Sequence, residues 1–120
     1  MEYIEGGVCA AKGYKASGVH CGIRKNKSKK DLALIMSEVR ASAASVYTTN
    51  LVKGAPITVT ANNISDGYAQ AIICNSGNAN TCNANGIEIA TEMCKLVEKH
   101  TGIKEKDVIV ASTGVIGQPL

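Results

Sequence analysis

The chain has 120 residues, 45% of them hydrophobic and 19% charged, with a formal net charge of +3. That is the size of one domain or part of one, with the composition of a folded soluble protein, and it excludes a disordered or fibrous chain. With no Trp, no Phe and only four Tyr, the core must be built from Ile, Val, Leu, Ala and Met. These side chains each bury little area, so a partner chain is expected to complete it.

Residues 18–23 and 31–37 are expected to form the two strands of a hairpin. The residues between them are polar and include Asn26 and Ser28, which favour turns. Leu32, Leu34 and Met36 alternate with Ala33, Ile35 and Ser37, as in a strand covered on both faces. Ser45-Val46-Tyr47-Thr48-Thr49 has the β-branched and aromatic content of a third strand. Residues 53–64 admit two readings. Ile57-Thr58-Val59-Thr60 has strand propensity, whereas Pro56 suits an early helical position with Ile57, Thr60, Ala61 and Ile64 down one face.

Asp66-Gly67 marks a turn, and residues 68–74 read as a buried strand. The clearest helix runs from Gly86 to Thr101. Ile89, Ala90, Met93, Leu96 and Val97 recur at helical spacing, Asn83 or Asn85 can cap its start, and Gly102 follows its end. A polar link over residues 104–107 leads into a strand over 108–111. Residues 68–111 thus read as β-loop-helix-β, and the class is α/β or α+β. Nothing closes the chain after Gln118-Pro119-Leu120, and the expectation is a truncated unit.

Two strands stop in small polar segments, the usual ligand edge of an open α/β layer. Ala71-Ile72-Ile73-Cys74 is followed by Asn75-Ser76-Gly77-Asn78-Ala79-Asn80, and Val108-Ile109-Val110-Ala111 by Ser112-Thr113-Gly114-Val115-Ile116-Gly117. A threonine hydroxyl and a glycine N–H at Thr113-Gly114 can together donate two hydrogen bonds to an oxyanion, the glycine permitting close approach. The alternative is a tight turn. Asn75, Ser76, Gly77 and Asn78 suit substrate positioning or a structural loop, because clustered amides are costly to bury unless satisfied. Neither segment pairs a nucleophile with a base, so the chain reads as half of a site. No phosphate loop is present: the Gly-Lys-Ser/Thr ending and the GxGxxG spacing are both missing.

The five cysteines, Cys9, Cys21, Cys74, Cys82 and Cys94, include no CxxC and no zinc-type cluster with histidine. With no signal-peptide pattern and no run of membrane-spanning length, a cytoplasmic protein with reduced thiols is expected, without metal or membrane. Cys74 reads as a small hydrophobe, because His20 and His100 are both distant in sequence. Arg24, Lys25, Lys27, Lys29 and Lys30 crowd one stretch. No aromatic residue is interleaved for base stacking, so the run reads as a solvated hairpin tip rather than a nucleic-acid patch.

Taken together, these segments resemble a known family. In order the chain carries Gly13-Tyr14-Lys15-Ala16-Ser17-Gly18-Val19, Lys30-Asp31-Leu32-Ala33-Leu34-Ile35, Val46-Tyr47-Thr48-Thr49-Asn50 and Lys53-Gly54-Ala55-Pro56, then the Asn-Ser-Gly-Asn-Ala-Asn block and Ala111-Ser112-Thr113-Gly114-Val115-Ile116-Gly117. This resembles the N-terminal part of the ornithine acetyltransferase (glutamate N-acetyltransferase) family of arginine biosynthesis, from roughly Gly7 to Leu120. The resemblance implies a layered α/β sandwich of the self-cleaving aminopeptidase type, incomplete in this chain, with residues 1–120 one N-terminal portion of the α chain. Family members cut themselves before a threonine that becomes the nucleophile at the start of the β chain. That threonine takes acetyl from N-acetylornithine and passes it to glutamate through an acetyl-enzyme, and some members also use acetyl-CoA. Thr113 and Gly114 would form the oxyanion hole.

The implied partners are the rest of the α chain and the β chain, in an α2β2 heterotetramer, with no cofactor. The family's cleavage site, its nucleophile and the substrate-binding lysine and threonine near it all lie beyond residue 120, so this chain alone is expected to be inactive. Tyr14 and Tyr47 stand where the family usually has Phe, and Cys21 and Cys82 are further departures near the site segments. Two other readings stay open: part of a related self-cleaving amide hydrolase, or a non-catalytic assembly fragment.

Overall fold

Four strands build one mixed sheet in the order β1-β2-β3-β4 in the computed structural model, which describes residues 2–120. They are β1 (Tyr14–Val19), β2 (Leu32–Ser42), β3 (Tyr68–Asn78) and β4 (Val108–Val115). β1/β2 and β2/β3 pair antiparallel, and β3/β4 pair parallel. Parallel neighbours need a crossover, supplied here by helix α2 (Gly86–Thr101); helix α1 (Ala55–Asn63) lies between β2 and β3 in sequence.

Both helices pack on one face of the sheet. Ala71 and Ile73 of β3 and Val108 and Val110 of β4 are buried against Val59 of α1 and Ala90, Met93, Cys94 and Val97 of α2. The core holds no aromatic side chain, as the composition required, although Cys94 joins the aliphatic residues and Met93, and each fully buried Val or Ile adds about 1.5–3 kcal/mol. On the opposite face Ile35, Ile72 and Ile109 share one register row and are only half-buried.

Two hydrogen-bonding devices fix β4, the edge strand on which the site depends. The Thr60 hydroxyl donates to the Val110 carbonyl at 2.8 Å and accepts from the Val110 N–H at 3.1 Å. The Asn63 amide donates to the Val108 and Glu105 carbonyls at 2.9 and 3.0 Å. Helix α1 therefore seals backbone groups that an edge would leave open. At this end of the sheet Arg40 also donates from Nε to Asp107 at 2.9 Å, pairs with Asp66 and lies 4.5 Å from the centre of the Tyr68 ring.

Helix α2 has the expected limits. Gly102 follows it at φ 78° and donates its N–H to the Glu98 carbonyl at 2.8 Å, a left-handed stop that glycine adopts without strain. Asn85 occupies the cap position, but its side chain makes no capping bond. Of the expected apolar stripe Leu96 is half exposed, while Cys94, which the stripe did not include, is buried.

Several expectations need correction. The first strand is Tyr14–Val19, not residues 18–23, and Cys21 to Ile23 belong to the following loop. β2 continues past residue 37 to Ser42, with a register shift between Met36 and Ala41. Residues 45–49 form no strand; Val46 is 97% exposed, and β propensity without a neighbouring strand to pair with forms no ladder. The ambiguous segment is helical, with Pro56 in its first turn. β3 and β4 do not stop at Cys74 and Ala111. Each runs on through the polar residues, to Asn78 and Val115. No helix among the described residues is long and apolar enough to cross a membrane.

Candidate active site

The polar ends of β3 and β4 pair with each other rather than forming separate loops. Asn75 is in register with Ser112, Ser76 with Thr113 and Gly77 with Gly114, and the ladder becomes irregular at Gly77–Asn78. Gly114 has φ +133°, and a Cβ there would lie 2.3 Å from the Gly77 carbonyl carbon and 2.5 Å from the Asn78 nitrogen. Any larger residue there would force the adjoining β3 backbone to shift. Gly77, at φ +109°, is closed from another direction: its Cβ would meet Arg24 Cγ at 2.9 Å and Ile23 Cγ2 at 3.2 Å. The Gly77 backbone is thus held between the Arg24 stem and Gly114, while Thr113 and Gly114 themselves are exposed.

Beneath this edge an amide network locks the strand ends. The Asn75 amide donates to the Asn78 carbonyl at 2.9 Å, and the Asn78 amide donates to the Gln118 and Pro119 carbonyls at 2.9 and 3.2 Å. The Asn80 N–H donates to Asn78 Oδ1, and the Asn80 side chain donates to the Gly86 carbonyl at the start of α2. The Asn80 carbonyl accepts from Ala55 at the start of α1. Asn75, Asn78 and Asn80 are buried, so their amides brace the site from inside. Ser76 and Gly77 are the members of that block that face Arg24. Asn75 Oδ1 and Ser112 Oγ, on register partners, are buried without a protein partner among the described residues.

In sequence, Arg24 reads as part of a solvated basic run and Asp31 appears only within the block of residues 30–35, neither with a role at the site. Asp31 is 2% exposed, and its two carboxylate oxygens accept the Cys21 N–H at 2.7 Å and the Arg24 N–H at 2.8 Å. His20 Nδ1 lies 3.1 Å from the same carboxylate. Burial alone would raise the Asp31 pKa, but the Arg24 and Cys21 N–H groups outweigh it and hold the carboxyl well below its ordinary range. The Asp31 carbonyl also accepts the Ser76 N–H at 2.9 Å. Asp31 therefore ties the β1–β2 loop to the end of β3. Arg24 is half-buried rather than solvated, and its Nε donates to Ser76 Oγ at 3.0 Å. The only sequence signal was an acid at the end of a basic run, immediately before a strand.

The chain holds no activated nucleophile among the described residues. The Ser76 hydroxyl meets a guanidinium, which cannot act as a base. All five cysteines are free; burial pushes the Cys94 thiol up to about 11 and, with the Asp31 carboxylate, raises that of Cys21. Thiols so shifted are poor nucleophiles. No group of three His, Cys, Asp or Glu side chains converges for a metal ion among the described residues.

The sequence model of the ArgJ family matches residues 15–120. The arginine biosynthesis bifunctional protein ArgJ of Caldanaerobacter subterraneus subsp. tengcongensis is 51% identical over 100% of this chain and 30% of its own length. That of Symbiobacterium thermophilum is 48% identical, again over 100% of this chain and 30% of its own length. The chain thus spans less than a third of the relatives it matches. Among solved structures, ArgJ of Bacillus halodurans superposes with TM-score 0.87 at 44% identity, covering 92% of this chain and 58% of that one. Ornithine acetyltransferase of Mycobacterium tuberculosis, in complex with ornithine, superposes with TM-score 0.83 at 36% identity, covering 92% and 61%. An α/β sheet with this strand-end architecture, matched by the family's sequence model over most of its length, places the chain in the ArgJ family.

Proposed function

We propose that this chain supplies the oxyanion side of an acetyltransferase site, moving acetyl from N-acetylornithine to glutamate in concert with a nucleophilic threonine outside residues 1–120. The observation that carries the reading is the Gly77–Gly114 contact, which leaves Thr113 and Gly114 exposed at the end of a parallel strand pair. The threonine, its proton taken by its own terminal amine, attacks the acetyl carbonyl. Negative charge gathers on the carbonyl oxygen, where the Thr113 hydroxyl and the Gly114 N–H stabilise it. Collapse breaks the amide bond, the proton passes to the departing ornithine amine, and acetyl stays on the threonine as an ester. The amine of glutamate then attacks that ester, forming N-acetylglutamate and regenerating the hydroxyl. The partners in this reading are the remainder of the α chain and a β chain in an α2β2 assembly, in the cytoplasm.

Intact-mass measurement of every polypeptide after exposure to N-acetylornithine without glutamate tests it. The expected result is one acetyl on a threonine beyond residue 120 with release of ornithine, then loss of that acetyl to added glutamate. Acetyl on Ser76, Thr113 or Cys74 would overturn the division of labour, and release of free acetate in place of transfer would make the protein a hydrolase. Purified residues 1–120 alone should turn over neither substrate.

A further inference from the structure

We propose that Arg24 is a carboxylate-binding residue of this site, its guanidinium aimed by Ser76 and Gly77 at the acid group of the amino-acid substrate. The proposal rests on the acetyltransferase reading for the identity of its ligand. Its geometry belongs to the chain itself.

Three features make Arg24 a built element rather than a surface cation. Its backbone is fixed, because its N–H donates to the buried Asp31 carboxylate at 2.8 Å. Its stem is seated, because Gly77 has no Cβ and a Cβ would lie 2.9 Å from Arg24 Cγ. Its guanidinium plane is set, because Nε donates to Ser76 Oγ at 3.0 Å. Among the described residues Arg24 forms no ion pair. The Asp31 carboxylate that holds its backbone is occupied by two backbone N–H groups and His20. An oriented guanidinium without a carboxylate partner matches the two-pronged geometry of a carboxylate ligand. By contrast, the neighbouring Lys25, Lys27, Lys29 and Lys30 are exposed.

Position assigns the ligand. Ser76 is the register partner of Thr113, so their side chains leave the sheet on the same side, one strand spacing of about 4.8 Å apart. The guanidinium beside Ser76 and the hydroxyl of Thr113 are therefore within about 10 Å of each other, two strand spacings. An N-acetyl amino acid with its carbonyl oxygen at Thr113–Gly114 carries its carboxylate a few bonds away, toward Arg24. Donor and acceptor both have that carboxylate, so one arginine serves both half-reactions.

The test uses the complete processed enzyme and equilibrium calorimetry, which needs no turnover. Glutamate and its α-carboxamide are titrated into wild type, Arg24→Gln and Arg24→Lys, with a melting curve on each sample. Arg24→Gln should weaken glutamate about 10–100-fold, the range expected for losing hydrogen bonds to a charged group. It should leave the α-carboxamide within about two-fold, because that ligand has already lost the α-carboxylate that Arg24 binds and keeps only its γ-carboxylate. Arg24→Lys keeps the charge without the fork, so its loss should be intermediate and again confined to the acid. An equal loss on both ligands, or none on either, in whichever variant folds, overturns the proposal. Acetyl transfer is scored separately in wild type. Absent transfer with acid-selective binding intact rejects the reaction and leaves the Arg24 site standing; transfer without that selectivity does the reverse.

Discussion

The two ends of the sheet are built on opposite principles. Where β3 begins, charge is consumed inside the chain: Arg40 bridges Asp66 and the buried Asp107 and stacks on Tyr68. Where β3 ends, the bracing is done by amides, glycines and the buried Asp31 carboxylate, which is bound by backbone N–H groups and His20, and the Arg24 guanidinium has no acid paired with it among the described residues. A fold that needs Arg24 only for stability would give it a carboxylate, as it does Arg40. In the proposed reading the first end is closed and the second takes the ligand.

Substituting glycines at the two ends should separate them most sharply. Gly114→Ala places a Cβ 2.3 Å from the Gly77 backbone at φ +133°. Strain and overpacking together should cost about 3–5 kcal/mol and disrupt the β3/β4 pairing. Gly102 also has positive φ, but a Cβ there meets nothing within 4 Å. Gly102→Ala should cost only about 1–2 kcal/mol, the left-handed penalty alone. Melting curves of the two variants measure the difference, and equal destabilisation would mean that the Gly77–Gly114 contact does not exist.

A smaller effect concerns acid. The Arg40 guanidinium holds the Asp66 carboxyl below its ordinary range, and at the other end the Arg24 and Cys21 N–H groups do the same for Asp31 against its burial. A depressed folded pKa means that the unfolded chain binds the proton more tightly. The stability these groups contribute is present in full above the unfolded carboxylate pKa of about 4 and is lost as pH falls further. Thermal scans across pH should therefore be level near neutrality and fall below about pH 4. Asp66→Asn should shallow that fall without changing catalysis in the complete enzyme. Asp31→Asn should shallow it and also weaken acid-substrate binding, since it releases the loop that carries Arg24. If both variants behave alike in the activity assay, the two ends are not functionally distinct.

Much of this was legible in the sequence, for local reasons. α2 was visible because its apolar spacing and Gly102 are properties of neighbouring residues. The existence of β3 and β4 was equally plain, but their ends were not. Asn75-Ser76-Gly77-Asn78 looks like a loop until Gly77 is seen to accept Gly114 against its backbone, a contact between residues far apart in the chain. The opposite failure occurred at residues 45–49, where strand-forming residues found no partner. Pro56 left two readings open, and Thr60, bonded to the edge of β4, favours the helix. Thr113 and Gly114 stood out because their chemistry is local. Arg24 did not, because its meaning depends on Ser76, 52 residues later, and a basic run gives no sign of which member turns inward.

The most direct measurement is steady-state kinetics of Thr113→Ala in the complete processed enzyme, with a melting curve on the same sample. If the Thr113 hydroxyl donates to the developing oxyanion, kcat should fall about 10²–10³-fold. KM should change far less, because the bond strengthens only as charge appears. Thr113→Ser, which keeps a hydroxyl, should recover much of the rate. A Thr113→Ala enzyme with a lowered melting temperature but a kcat within a few-fold of wild type would contradict the assignment and make the end of β4 a structural turn.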